Sequence, residues 1–137
     1  MRSAEATAPP AAHSPTAIVR AFAHAWDRLD FTTILALLAP GIRYENGPLP
    51  PLAGHAAVSR YLLDAGPFEA CRWELVAIAE DGSRVLTERV DHLRVRGTAI
   101  RLPVMGIFDV QQGLIHHWRD YFDLADYRAQ WPPQATA

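Results

Sequence analysis

A chain of 137 residues, half of them apolar and a fifth charged, has the size and composition of one globular domain with its own core. A net charge of −2 without a basic stripe argues against a nucleic-acid partner, and no Lys/Arg-rich amphipathic helix suggests a membrane surface. No apolar run approaches the roughly 18–20 residues that cross a bilayer, and the single cysteine, Cys71, excludes an internal disulfide, so a cytoplasmic location is expected.

Residues 1–14 are mostly Ala, Pro, Ser and Thr and read as a disordered tail; 15–131 form the expected single domain and 132–137 a flexible end. Ser14-Pro15 has the form of an N-cap followed by proline at the first helical position. Ile18, Phe22, Ala25, Trp26 and Leu29 continue at helical spacing, which predicts a helix to about Leu29. Asp30 can cap a second, shorter helix that Pro40-Gly41 stops. Ile42 to Asn46 reads as a short strand before an irregular loop of prolines, and His55 to Leu63 as a third helix, with His55 on its surface, ended by Gly66-Pro67.

From Cys71 the periodicity changes to two. Strands are predicted over Arg72–Ala79, Val85–Val95, Ala99–Val110 and Leu114–Phe122, separated by the hairpin turns Asp81-Gly82, Arg96-Gly97 and Gln112-Gly113. Pro103 implies an edge position or a bulge. Asp123 can cap a last helix, Leu124 to Gln130. Three helices followed by four hairpinned strands make an α+β domain. The outer face of those strands, with Trp73 and Ile78 assigned to it, is apolar enough to suggest pairing with a second copy.

Within these apolar strands, polar residues recur two apart: Arg89 with Asp91, and Tyr44 with Asn46, while Asp120 stands among Trp118, Tyr121 and Phe122. Residues i and i+2 of a strand share a face, so a curved sheet can gather all five in one pocket. Two carboxylates, a guanidinium, a phenol and an amide held away from water suit acid–base chemistry. Taken singly, each has a plainer reading: a structural ion pair, a half-buried strand tyrosine, a turn residue before Gly47. His116-His117 does not make a metal site, because neighbouring strand residues face opposite ways and no third ligand stands at a recognised spacing.

Three stretches, Tyr44-Glu45-Asn46 with Pro48-Leu49-Pro50-Pro51, Thr87-Glu88-Arg89-Val90-Asp91 with Leu93, and Trp118 through Leu124, resemble the limonene-1,2-epoxide hydrolase family in order and spacing. That resemblance implies a nuclear transport factor 2-like cone: a curved mixed sheet of about six strands, with three to four helices on its concave side enclosing a deep pocket. It implies hydrolysis of a hydrophobic epoxide to a vicinal diol in one step, without metal, cofactor or covalent intermediate. Asp91 would be the general acid and Asp120 the general base. Arg89 would bridge them, and Tyr44 and Asn46 would hold the attacking water. Leu93, Leu102, Val104 and Phe122 would line the pocket, and a homodimer is expected. The rival readings are an isomerase or cyclase of the ketosteroid isomerase or polyketide cyclase type, and a non-catalytic binding module on the same scaffold.

Overall fold

A computed structural model describes residues 14–64 and 68–133. The expected tail over 1–14 (apart from Ser14), the Gly66-Pro67 helix stop and the last four residues lie outside the described part. Four helices and six strands are found among the described residues: α1 (Pro15–Asp27), α2 (Phe31–Ala36), β1 (Leu38–Asn46), β2 (Leu52–Ala53), α3 (His55–Asp64), β3 (Phe68–Asp81), β4 (Arg84–Val95), β5 (Thr98–Gln111), β6 (Leu114–Tyr121) and α4 (Leu124–Gln130).

The helix caps are those the sequence offers. Ser14 accepts from the Ala17 amide, Asp30 from Thr33 and Asp123 from Asp126. The strands form one mixed sheet in the order β2-β1-β6-β5-β4-β3, with β1 parallel to β6 and the other pairs antiparallel. Two of the three long hairpins turn on residue pairs with positive φ at both positions, Arg96-Gly97 and Gln112-Gly113, which matches the right-handed twist of the flanking strands.

Helix α1 buries Ile18, Val19, Phe22, Ala25 and Trp26 against the concave side of the sheet. The Phe22 ring meets Trp26, Trp73, Phe108 and Trp118 edge-on, with centroids 5.0–6.3 Å apart. This aromatic cluster forms the floor beneath the pocket.

Three sequence expectations are corrected. Strand β1 starts at Leu38 and passes through Pro40-Gly41 instead of beginning after them. Its ladder with β6 jumps from Leu38–Ile115 to Arg43–His117, so Pro40 and Gly41 sit in a bulge where no regular pairing is needed. Trp73 and Ile78 lie on the concave side, not the outer face. Trp73 stands opposite Asp91, Ile78 stands opposite the buried Thr87, and a bulge between Leu75 and Ala77 resets the alternation. His55, expected on a helix surface, is half-buried and contacts the Leu35 carbonyl through Nε2.

Pro103 is in an interior strand yet breaks no ladder. The amide of Arg101, two residues earlier and facing the same way, bonds to the Gln130 side chain, and pairing with β6 begins only at Met105. The proline's missing donor therefore falls on a stretch of β5 that is locally an edge.

Candidate active site

Strand register assembles the site. Across β4, β5 and β6 one row reads Thr87–Gly106–Asp120, and the next two positions along β4 and β5 give Arg89–Val104 and Asp91–Leu102. The parallel pairing of β1 with β6 sets Tyr44 beside Trp118 and Asn46 beside Asp120. All five polar residues singled out in the sequence are thereby brought to one end of the concave face.

Arg89 is the hub, with its side chain wholly buried. Its Nε donates to Asp91 Oδ1 at 2.7 Å. Its Nη2 is shared, donating to Asp91 Oδ2 at 3.2 Å and to Asp120 Oδ2 at 2.7 Å. The other oxygen of Asp120 accepts from the Trp118 indole at 3.0 Å. Beneath the guanidinium lies the Trp73 ring, 3.8 Å from the guanidinium carbon. The ring of Tyr44 stacks on Trp118 with centroids 4.0 Å apart. The amide nitrogen of Asn46 donates to the Tyr61 hydroxyl at 2.9 Å.

Strand parity could have marked Trp118, two residues before Asp120, as a donor into the site. Tyr61 comes from α3 and carried no sequence signal. Gly106 carried none either. A Cβ there would run into Arg89 Nη1 and come within 2.7 Å of Asp120 Oδ1 and 3.1 Å of Thr87 Oγ1. The bare Cα of Gly106 is what leaves room for the guanidinium between the strands.

Asp91, Asp120, Tyr44 and Asn46 open onto a cavity of about 120 Å³ whose walls include Leu93, Leu102, Val104 and Phe122. Arg89 lies behind that surface. Trp26, Trp73 and Trp118 are core residues that also face the cavity.

Burial pushes the Asp91 carboxyl up to about 6, against the pull of Arg89, which favours its ionised form. Burial also raises the Tyr44 phenol well above its usual range, with the Asp120 charge adding to the effect, so the phenol keeps its proton. Burial opposes charge on Arg89, but Asp120 and Asp91 outweigh it and hold the guanidinium protonated. The Cys71 thiol, also on the cavity wall, is pushed up to about 12, first by burial and then by the Asp91 charge, and stays neutral. The set therefore offers one carboxyl able to hold a proton near neutrality, a second carboxylate within reach of the same guanidinium, and two neutral polar groups beside that second carboxylate.

The limonene-1,2-epoxide hydrolase catalytic domain pattern matches residues 13–133, and the chain belongs to that family. It is 36% identical over 111 residues to the epoxide hydrolase EphG of Mycobacterium tuberculosis, covering 79% of this chain and 72% of that protein. The solved structure of an LEH-like epoxide hydrolase from M. tuberculosis superposes with a TM-score of 0.76 at 32% identity, over 85% of this chain and 87% of that one. A putative polyketide cyclase from Xanthomonas campestris superposes with a TM-score of 0.77 at 26% identity, over 85% and 95% of the two chains. The cone-shaped α+β fold is common to these proteins, so the chemistry has to be argued from the residues of the site.

Proposed function

We propose that the protein hydrolyses a small apolar epoxide to a vicinal diol, with Asp91 as general acid and Asp120 as general base. The observation that carries this reading is the shared guanidinium. Arg89 touches both carboxylates, so a single negative charge on the pair is balanced while the other carboxyl keeps a proton. Opening an epoxide at neutral pH needs that combination. Alkoxide is a poor leaving group unless it is protonated as the C–O bond breaks, and water is a weak nucleophile unless it is deprotonated as it attacks.

Oδ2 of Asp91, held by the longer 3.2 Å contact, is the oxygen suited to carry the proton delivered to the epoxide. Asp120 takes one proton from water, while Asn46 and the Tyr44 hydroxyl fix that water's position. Each turnover leaves the proton on Asp120, and its return to Asp91 past Arg89 resets the site. The proposed step uses no metal, cofactor or ester intermediate. Abstraction of a proton beside a carbonyl, the cyclase or isomerase alternative, needs one carboxylate facing neutral donors. A bridging guanidinium does not serve that chemistry. The apolar walls suit a hydrophobic, cyclic or terpene-like epoxide.

The test is a panel of epoxides scored for diol. Asp91→Asn and Asp120→Asn are each expected to lower kcat by roughly a thousandfold, the usual scale for a lost acid or base. Diol formation that survives both substitutions overturns the assignment.

A further inference from the structure

A second cavity lies against the catalytic one. It is lined by Leu49, Pro50 and Leu52 together with Tyr44, Asn46 and Tyr61. Four of those residues, Tyr44, Asn46, Leu49 and Tyr61, also line the catalytic cavity. The two spaces are therefore the two sides of one partition. The second space holds about 270 Å³. Its three residues not drawn from the polar site, Leu49, Pro50 and Leu52, are apolar, and across the partition the Asn46 amide meets the Tyr61 hydroxyl at 2.9 Å.

We propose that this second cavity is a substrate subsite for the saturated hydrocarbon chain of an elongated epoxide, with Tyr61 as the gate that sets how much of the chain enters. The proposal rests on the hydrolase reading and extends it to substrate length. An epoxide ring placed at Asp91 and Asp120 lies beside the Tyr44, Asn46, Leu49 and Tyr61 side chains that both spaces share. A longer substituent directed past Tyr61, which lines both spaces, enters the adjoining apolar volume. Opening the gate breaks one half-buried hydrogen bond and exchanges it for buried methylenes. Each methylene is worth roughly fourfold in affinity, so a few of them outweigh the bond.

The same bond gives the gate a catalytic consequence. While Tyr61 holds the nitrogen end of Asn46, the amide oxygen is left for the water beside Asp120. Chains long enough to displace Tyr61 also loosen that water, so they should show a lower KM and a lower kcat.

Two variants separate these effects. Tyr61→Phe keeps the ring and removes the bond. Leu52→Trp fills the second cavity from a position outside the catalytic one. The affinities of straight-chain 1,2-diols of six and twelve carbons are measured by calorimetry for both variants and the unaltered protein, alongside kcat/KM for the matching epoxides. Leu52→Trp is expected to lower the long-to-short affinity ratio by about tenfold, and Tyr61→Phe to raise it by roughly fivefold. Equal ratios in all three proteins overturn the subsite. Diol binding does not depend on turnover, so ratios that shift without any epoxide being hydrolysed keep the subsite and refute the hydrolase reading.

Discussion

At the scale of single residues, the site depends on how much space and charge surround one guanidinium. Gly106→Ala puts a methyl group where Arg89 Nη1 lies and crowds Asp120 Oδ1. Both groups must move from positions fixed by 2.7 Å bonds, and kcat is expected to fall by about a hundredfold, the scale of a displacement near 1 Å. Retained activity in a folded Gly106→Ala protein contradicts that role. Asp91 makes a pH-dependent contribution of definite sign. Its carboxyl is raised from the ordinary 3.8 to about 6, so across that window the folded chain keeps a proton that the unfolded chain releases. Stability from this group is therefore present at low pH and lost as pH rises through 6. The loss is of order 3 kcal/mol, since the side chain is only 12% exposed and little screened by solvent. Chemical denaturation of the unaltered protein and Asp91→Asn should show the difference in stability moving in favour of the variant between pH 4 and 7. A constant difference refutes the raised carboxyl. Acid catalysis has the same limit, so kcat/KM is expected to decline above about pH 6. The five polar residues could be picked out of the sequence because strand parity places hydrophilic groups at apolar positions. Gly106 and Tyr61 could not. The first matters only through the register of three strands, and the second only through where α3 lies.

At the scale of elements, the edge strand β3 is tied to α1 by Asp27, whose carboxylate accepts from the Trp73 amide at 2.7 Å. That amide points away from β4, and without Asp27 it would be left unpaired on an open edge. The tie also fixes the Trp73 ring under the Arg89 guanidinium. Asp27→Ala is expected to cost about 1–2 kcal/mol of stability and to lower kcat several-fold, read by denaturation and steady-state kinetics. Loss of stability with kcat unchanged would separate the edge tie from the site. The helices, the hairpins and their glycines were legible because capping, period and turn chemistry are local. The bulges at Pro40-Gly41 and at Leu75 to Ala77 were not, since an extra residue in a ladder shows only against its partner strand. That is why Trp73 was assigned to the wrong face.

At the scale of the whole molecule, the convex side of the sheet carries an apolar band: Leu86 opposite Ile107, and Met105 opposite Tyr121. Leu86 is 38%, Met105 50% and Tyr121 58% exposed, so three large apolar side chains open to solvent on this one face. We propose that two copies pair through this band. Met105→Glu is then expected to convert a two-chain species into a single chain in sedimentation at micromolar concentration, with the catalytic cavity on the opposite side of the sheet left intact. An unaltered protein that sediments as one chain ends that proposal without touching the chemistry. The chemistry itself turns on whether water, and not a carboxylate oxygen, attacks the ring. The direct measurement is a single turnover in oxygen-18 water with enzyme in excess. The expected result is heavy oxygen in the diol from the first turnover and none in the protein; an unlabelled first diol, with label appearing in Asp91 or Asp120, contradicts it.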